Sequence, residues 1–387
     1  MPALNRISEF HDEITAWRHD LHRHPELLYD VHRTAGIVAE KLRGFGVDEV
    51  VTGIGRTGVV GVIRGSKPGS GVIGLRADMD ALPITERTGK AYASEKPGKM
   101  HACGHDGHTA MLLGAARYLA ETRNFAGTAV VIFQPAEEGG AGGKAMVDDG
   151  MMDRFGIDEV YGMHNMPGIP VGTFATRPGA LLASTDEFRI FIRGRGGHAA
   201  RPQETIDPVV ATAALIQALQ TVVSRNADPL ESAVISVTRL DAGTATNVIP
   251  DFVKIEGTAR TLLPAMRDLV EERVRAIVQN IAAAFGATAD LTYKRKYPVT
   301  VNHRAETEKT IAVASRIVGA DRVDADTPPV MGAEDFSYML EARPGSFIFI
   351  GNGDTAGLHN AGYDFNDAII PLGCTYWVKL VEETLAA

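Results

Sequence analysis

Sulfur, imidazole and carboxylate side chains are concentrated in two short stretches of the sequence. The first is residues 101–108, His-Ala-Cys-Gly-His-Asp-Gly-His, in which a single glycine separates Cys103 from His105. The second is the adjacent pair Glu137 and Glu138. A thiolate and an imidazole suit Zn, Mn or Co, and paired carboxylates can supply a further ligand and a general base. We therefore predict a metal site; the alternative is a buried cysteine beside solvated histidines.

Each of these groups follows a predicted strand or precedes a predicted helix. The apolar run 128–133 predicts a strand buried on both faces, and the glutamate pair comes directly after it. Another predicted strand, 158–162, leads to His164, and a third, 346–351, is followed by a loop that contains His359. The carboxyl ends of parallel strands meet at one edge of a sheet, so we expect these side chains to converge there.

Two further elements should position the Cys-His stretch. Strands are predicted at 59–63 and 72–75, and the second leads into Asp78. A carboxylate at that position can orient a metal-bound histidine, or it can cap a turn. The apolar positions in 111–119 predict an amphipathic helix whose amino end follows Cys103. The partial positive charge of that helix end should lower the pKa of the thiol and favour the thiolate.

Near the amino terminus, residues 12–45 predict two helices. Between them lies the histidine-rich stretch 18–26, Arg-His-Asp-Leu-His-Arg-His-Pro-Glu. The spacing of its histidines matches no metal motif and Pro25 breaks the helix. This pattern predicts a helix end exposed to solvent.

The pattern changes between residues 184 and 298, where strands and helices alternate in a βαββαβ order. The predicted elements are a strand at 186–193, a helix at 206–224, strands at 233–240 and 252–261, a helix at 264–285 and a strand at 288–294. This order predicts a ferredoxin-like domain, inserted into an α/β catalytic domain made of residues 1–183 and 299–387. Its outer edge strand and exposed helices predict a homodimer or a higher homo-oligomer.

Three residues of the inserted domain could contact a ligand. His198 follows several glycines at what we predict to be the end of an edge strand, so it can project toward a ligand or lie in a solvated turn. Asn247 and Arg260 are a turn amide and a strand guanidinium, both able to hold a substrate carboxylate.

Composition excludes several classes of protein. The chain has 387 residues and a net charge of -9, which argues against nucleic acid as a partner because phosphate binding needs a basic surface. No apolar run approaches the roughly 20 residues of a membrane span. The first residues lack the pattern of a secretory signal, and the only cysteines are Cys103 and Cys374. These features predict a cytoplasmic protein without a disulfide framework.

The motifs around these residues resemble those of one family, the hippurate hydrolase and indole-acetyl-amino-acid hydrolase branch of the aminoacylase and carboxypeptidase superfamily. In chain order they are Arg76-Ala-Asp-Met-Asp-Ala-Leu-Pro, Met100-His-Ala-Cys-Gly-His-Asp-Gly-His, Phe133-Gln-Pro-Ala-Glu-Glu-Gly, Gly162-Met-His-Asn, Gly197-His-Ala-Ala-Arg-Pro, Asn247-Val-Ile-Pro and Leu358-His-Asn. The likeness covers essentially the whole chain. It implies an α/β metallopeptidase-like catalytic domain with a dinuclear metal centre, and an inserted lid that usually dimerises.

The resemblance also implies a role for each matching position. The metal ligands would be Cys103, His105, Glu138, His164 and His359. Glu137 would be the general base, and His198 would reach the active site of a partner subunit and help to stabilise the oxyanion. Asn247 and Arg260 would contact the substrate.

The sequence departs from the wider superfamily at two positions. Arg76 stands where other branches place a ligating histidine, and Cys103 replaces a harder ligand. The cofactor is therefore expected to be one or two divalent ions per subunit, with Mn, Zn, Co and Ni all open.

The activity that the resemblance implies is hydrolysis of an N-acyl amino acid to a carboxylate and a free amino acid. Two alternatives remain open. One is a metallo-dipeptidase or carboxypeptidase that uses the same centre, and the other is a non-catalytic ligand-binding relative. A purely structural metal site is disfavoured, because such sites are closed by four ligands and more candidates than that are present here.

Overall fold

The computed structural model describes residues 3–386, which form two compact units. The first unit runs to Leu181 and includes Val301–Pro328 and the residues from Asp335 onward. The second comprises Leu182–Thr300 and Pro329–Glu334. The sequence-based domain limits, at 184 and 298, stay a prediction.

The first unit is built on an eight-stranded sheet with the order β1-β2-β4-β3-β5-β16-β6-β15. Its strands are β1 Glu49–Ile54, β2 Gly58–Arg64, β3 Lys67–Asp78, β4 Ala126–Gln134, β5 Glu159–Pro167, β6 Phe174–Ala175, β15 Val323–Asp324 and β16 Gly345–Gly353. The central strands β4, β3, β5 and β16 are parallel, whereas β1 and β2 are antiparallel additions at one edge. The parallel centre brings the carboxyl ends of these strands to one edge, as the sequence predicted.

Helices pack on this sheet. They are α1 Asn5–Glu9, α2 His11–Arg23, α3 His32–Gly44, α4 His105–Thr122, α5 Gly142–Asp148, α6 Met151–Arg154, α9 Arg304–Val318, α10 Ser337–Ala342 and α11 Ile370–Thr384. Helix α4 is buried over most of its length because the residues from Ala110 to Ala116 are apolar or small on every side. Gly114 is one reason that its neighbours fit, since a Cβ there would lie 2.6 Å from Ile14 Cδ1 and 2.8 Å from Cys374 Sγ.

The second unit has a four-stranded antiparallel sheet with the order β10-β12-β8-β13. Its elements are β8 Asp186–Arg193, β9 Gly197–His198, α7 Pro208–Thr221, β10 Ala233–Ala242, β11 Val248–Ile249, β12 Phe252–Thr261, α8 Pro264–Ala284 and β13 Thr288–Arg295. Short strands β7 Gly179–Leu182 and β14 Thr300–Asn302 lie in sequence at its limits. Buried and exposed residues alternate along β8 and β12, so one face of the sheet packs on α7 and α8.

The predicted fold class, an α/β catalytic domain with an inserted ferredoxin-like domain, is confirmed. The prediction that His198 lies at the end of an edge strand was wrong. Strand β8, which precedes His198, is an inner strand of its sheet, and His198 itself lies in β9, which pairs with β11 as a separate two-stranded sheet. Among the described residues, every helix is too short or too polar to cross a lipid bilayer.

Candidate metal centre

Asp78 ends strand β3 and is fully buried. Its Oδ1 accepts a hydrogen bond from Nδ1 of His108 at 2.7 Å, and its Oδ2 accepts one from Arg76 at 2.7 Å. Nε2 of His105 is 3.7 Å from Oδ2, beyond hydrogen-bond range. Burial acts to raise the pKa of Asp78, but His105, Arg76 and His108 lower it well below its usual range. Asp78 is therefore a fixed negative charge beneath the site.

Arg76 links this strand end to the loop of the glutamates. Its buried guanidinium donates to Asp78 and also to Oδ1 of Asp335 at 3.0 Å. Asp335 in turn accepts from the backbone N–H of Gly143 at 2.8 Å and donates its own N–H to Oε1 of Glu137 at 3.4 Å. From the sequence, Arg76 stood out only as a departure from a ligand position and Asp335 did not stand out at all, because nothing in the local pattern connects residues this far apart.

Asp80 holds the backbone of the loop that follows β4. Its carboxylate accepts the N–H of Glu137 at 2.8 Å and that of Glu138 at 3.1 Å. Within this loop Ala136 and Ala141 have positive φ angles of 54° and 57°, a conformation that is unfavourable for a residue with a side chain. The two hydrogen bonds that Asp80 accepts thus hold a strained loop in place and fix the backbone of both glutamates.

Cys103 and His105 flank Gly104, whose φ of 91° turns the chain into α4. His105 is the first residue of this helix rather than lying ahead of it. The Sγ of Cys103 is 3.4 Å from Nε2 of His164, which projects from the carboxyl-terminal half of β5. Nε2 of His105 is 3.9 Å from Oε1 of Glu138.

His359 reaches the same place from the loop after β16. Its backbone has a positive φ of 61°, and its N–H donates to the carbonyl of Ala102 at 2.8 Å. Nε2 of His359 is 3.3 Å from Oε1 of Glu138, which raises the pKa of this histidine. The backbone contact with Ala102 ties the His359 loop to the Cys-His stretch.

The side chains predicted as ligands therefore come together. Their ligand atoms form two overlapping groups within the described part of the chain, each with all atoms inside 4.8 Å: Cys103 with His105 and His164, and Cys103 with Glu138 and His359. Cys103 belongs to both groups. Glu137 lies beside them, grouped with His105 and Glu138.

The surroundings of His105 favour positive charge. Burial acts to lower its pKa, but Asp78, Asp80 and Glu138 raise it to about 10. Both of its ring nitrogens, and Oε1 of Glu138, are nonetheless buried without a hydrogen-bond partner among the described residues. Leaving such atoms unpaired costs about 1–3 kcal/mol each. A divalent ion bound by one ring nitrogen of His105 and by Oε1 of Glu138 would satisfy these two atoms and supply the positive charge that the carboxylates favour, so the residues present fit a metal.

The pKa of Cys103 differs from the expectation. Burial and the nearby Glu138 and Glu137 raise the pKa of this thiol well above its usual range, whereas the helix end was expected to lower it. Burial and the carboxylates together outweigh the helix dipole, which acts only over one turn. A thiolate at this position therefore requires a bound cation, which deprotonates a coordinating thiol.

His164 is held in the form that binds a metal. Burial lowers its pKa well below the usual value, so the imidazole is neutral. Its Nδ1 lies 2.5 Å from the carbonyl of Asn165, which fixes the proton on Nδ1 and leaves Nε2 free to face Cys103.

The remaining predicted residues lie in the second unit. His198 and Asn247 are exposed, and the two segments are joined by the N–H of Ala199, which donates to the carbonyl of Asn247 at 3.0 Å. Arg260 is half-buried in β12, where burial lowers its pKa. It lines a groove of about 420 Å³ on the sheet face opposite the helices, together with Glu187.

The histidine-rich stretch 18–26 was wrongly predicted to be solvated. Arg18 and His22 are both fully buried. Asp106, in the first turn of α4, accepts from Nδ1 of His22 at 2.8 Å and lies 3.4 Å from NH1 of Arg18. Arg18 also donates to Asp367 at 2.8 Å. The prediction failed because the partners that satisfy these side chains come from distant parts of the chain.

The last residue of this stretch and the residues that follow it support the loops of the site. The carbonyl of Glu26 accepts the N–H of Ala81 at 2.8 Å, and that of Leu28 accepts the N–H of Ala136 at 3.2 Å. The Glu26 carboxylate meanwhile accepts the N–H of Thr34 at 2.8 Å, at the start of α3. The amino-terminal segment thus supports the loops on either side of the metal ligands.

Gly104→Ala should be strongly destabilising. A Cβ there would lie 2.2 Å from Nδ2 of Asn165 and 2.6 Å from Oη of Tyr363, in addition to the cost of its φ of 91°. We expect the free energy of unfolding to fall by about 2–4 kcal/mol, measured by urea denaturation. Gly98→Ala is the matched control, since Gly98 has a φ of 77° but open space around it, and should lose only about 1 kcal/mol. Equal losses would contradict the close packing.

Comparisons with known proteins agree with this arrangement. The family model described as peptidase family M20/M25/M40 matches residues 74–383. The chain is 42% identical over 380 residues to the hippurate hydrolase of Campylobacter jejuni, covering 98% of both chains. It is 43% identical over 352 residues to thermostable carboxypeptidase 1 of Saccharolobus solfataricus, covering 90% of this chain and 88% of that one.

A solved structure from the same family is also similar to this chain over nearly its whole length. The Bacillus subtilis YXEP protein, described as a dinuclear metal binding peptidase from the M20 family, superposes with a TM-score of 0.84 at 35% identity, covering 98% of this chain and 99% of the other. The match of the family model over most of the chain, the full-length relatives and this structure agree. This chain belongs to peptidase family M20/M25/M40.

Proposed function

We propose that this protein is a metal-dependent amidohydrolase that cleaves the amide bond of N-acyl amino acids and releases a carboxylate and a free amino acid. The observation that carries the proposal is the convergence of thiol, imidazole and carboxylate ligand atoms beside a separate carboxylate, Glu137. A structural site would have no use for that extra carboxylate. The name of the Campylobacter jejuni relative, hippurate hydrolase, supports the substrate class.

We propose that two divalent ions would be held by the two ligand groups, which overlap at Cys103. The overlap of the two ligand groups at Sγ supports this. Sulfur and imidazole favour Zn, Co or Ni over Mg or Ca, and the carboxylate of Glu138 also suits Mn. The bound ions would polarise the amide carbonyl and lower the pKa of a water molecule. Cys103, His105, Glu138, His164 and His359 would hold them.

The protein's own residues would move the protons and hold the substrate. Glu137 would take a proton from the attacking water and return it to the leaving amine. Asp78 would keep the base of the site negative. His198 would donate a hydrogen bond to the oxyanion, and Asn247 and Arg260 would bind the carboxylate of the amino acid.

We also propose a homodimer that forms through the second unit, with His198 acting at the partner's site. Support comes from α7, which carries no charged residue and exposes Val209 and Val210, and from the unpaired edge of β10. Sedimentation equilibrium should give twice the chain mass of 41.4 kDa. A monomer at all concentrations would contradict the proposal.

We also propose a cytoplasmic location, which is supported by the two cysteines, since both are unpaired.

The function is tested by reconstitution. We expect a chelator to abolish hydrolysis and separate additions of Mn, Zn, Co and Ni to restore it to different extents. The substrates are N-benzoyl and N-acetyl amino acids, the same compounds with the carboxylate converted to an amide, and free dipeptides. N-acyl amino acids should be preferred, and their amidated forms should have a higher KM because they lack the negative charge that Arg260 would bind.

One rival function has specific support. The name of the Saccharolobus solfataricus relative, thermostable carboxypeptidase 1, favours a carboxypeptidase or dipeptidase that uses the same centre. Preferred cleavage of peptides in the reconstitution assay would select it. Absence of hydrolysis of any amide by the metal-loaded protein would favour the non-catalytic alternative.

A further inference from the structure

We propose that Asn165, supported by His108 and Tyr363, positions the Cys103 thiolate between the two ligand groups. This inference rests on the proposed metal site. Asn165 follows His164 in β5 and is fully buried. Its Nδ2 donates to the backbone carbonyl of Cys103 at 2.7 Å, and its Oδ1 accepts from Oη of Tyr363 at 2.6 Å. Its side chain therefore touches the Cys-His stretch and the chain after His359 together.

His108 completes the arrangement. Its Nδ1 lies 2.7 Å from a carboxylate oxygen of Asp78, which can only accept, so the proton is on Nδ1. Its Nε2 must then accept, and it does so from the backbone N–H of Asn165 at 3.0 Å. Both nitrogens are used within the protein. His108 is therefore a positioning residue and not a ligand, although its ligand atom lies within 4.8 Å of those of Asp78 and His105.

These contacts fix the direction of the Cys103 side chain. The carbonyl of Cys103 is held by Asn165, and the next residue, Gly104, has a φ of 91° that only glycine adopts readily. The peptide plane between the two residues is thereby set, and with it the direction of the Cα–Cβ bond of Cys103. Tyr363 and Asn165 pack so closely on Gly104 that no Cβ fits between them.

The buried thiol needs this support. Coordination by Cys103 depends on the position of Sγ, since the ligand atoms of each group lie within 4.8 Å of one another and Sγ belongs to both groups. A displacement of the carbonyl by the loss of Asn165 would move Sγ away from one ligand group or both. Outer partners of ligands typically contribute roughly 10- to 100-fold to metal affinity.

The test uses the full-length protein loaded with Co(II). A Co(II) thiolate gives a charge-transfer absorption band in the near ultraviolet, which reports directly on the bond to sulfur. We expect Asn165→Ala to lose most of this band and to bind Co(II) roughly 10- to 100-fold more weakly in competition with a chelator. An unchanged band and affinity in the folded variant would overturn the inference.

Asn302→Ala is the matched control. Asn302 is also a buried asparagine of the first unit, with Nδ2 donating to the carbonyls of Phe347 and Arg177 and Oδ1 accepting the N–H of Phe347. Its loss should lower stability to a similar extent while leaving the Co(II) band and affinity unchanged. The same spectral loss in both variants would show a general structural effect and overturn the positioning role.

Tyr363→Phe keeps the test decisive if Asn165→Ala does not fold. This variant removes only the hydroxyl that holds Oδ1 of Asn165. We expect a several-fold weaker affinity for Co(II) and a reduced band, and wild-type values for both would count against the inference. Absence of the thiolate band in the wild-type Co(II) protein would instead overturn ligation by Cys103, which is part of the proposed function.

Discussion

Replacing Glu137 by glutamine should lower kcat by about 10²–10⁴-fold while the protein keeps its full metal content. Glutamine has nearly the same shape and can still accept the N–H of Asp335, but it cannot accept a proton from water. Glu137 is only 7% exposed, and its backbone N–H is fixed by Asp80, so the substitution should leave the loop in place. Steady-state kinetics and metal analysis on the same sample measure both expectations.

The neighbouring residue provides the contrast. Glu138→Gln should lose metal as well as activity, because Oε1 of Glu138 lies with Cys103 and His359 in one ligand group. Both variants would then lose turnover, but only Glu138→Gln would lose metal, although the two carboxylates are adjacent and similarly buried. Near-normal kcat in Glu137→Gln would remove this residue from its assigned role, and loss of metal in both variants would make it a ligand instead.

Asp106→Asn should lower the free energy of unfolding by about 3–5 kcal/mol, because it leaves the buried cations Arg18 and His22 without their shared carboxylate. Burial acts to lower the pKa of His22, but Asp106 and Glu86 raise it to about 9 from an ordinary value of 6.5. Urea unfolding of metal-loaded protein across a range of pH measures the loss.

The pH dependence has a definite sign. A group whose pKa is raised on folding stabilises the folded state fully below its unfolded value, and this contribution disappears as pH rises through the folded value. The wild type should therefore lose stability relative to Asp106→Asn between about pH 6.5 and pH 9. Asp148→Asn is the control, since it breaks only the exposed pair with Lys144, and should change little. A constant difference over this range would contradict a charged His22.

Local pattern was sufficient to predict most of the elements that carry the site. Strand β4 is an apolar run because both of its faces are buried. Apolar and polar residues alternate in β8 because only one of its faces is buried. The carboxyl ends of parallel strands lie at the same edge of a sheet. Glu138, His164 and His359 each follow a predicted strand, and this was enough to predict that they meet. The fold class followed from the same periodicities.

Residues that act through distant partners could not be predicted in this way. Arg18 resembles any charged residue near a helix end until Asp106 and Asp367 are placed beside it. Asn165 has no distinctive neighbour in sequence except His164, and its importance lies in contacts with Cys103 and Tyr363. Such long-range polar contacts have no sequence period, so only the folded arrangement reveals them.

The pairing of Arg18 with Asp367 spans 349 positions, which has a consequence for biosynthesis. At translation rates of about 5–20 residues per second, the ribosome reaches Asp367 roughly 20 to 70 seconds after Arg18. Throughout that interval Asp106 is the carboxylate available to the guanidinium of Arg18, because its second partner, Asp367, has not yet been made. The buried ion-pair network around Arg18 is therefore completed only at the end of synthesis. His359 is also made late, so the full set of ligands proposed above exists only when synthesis is nearly finished.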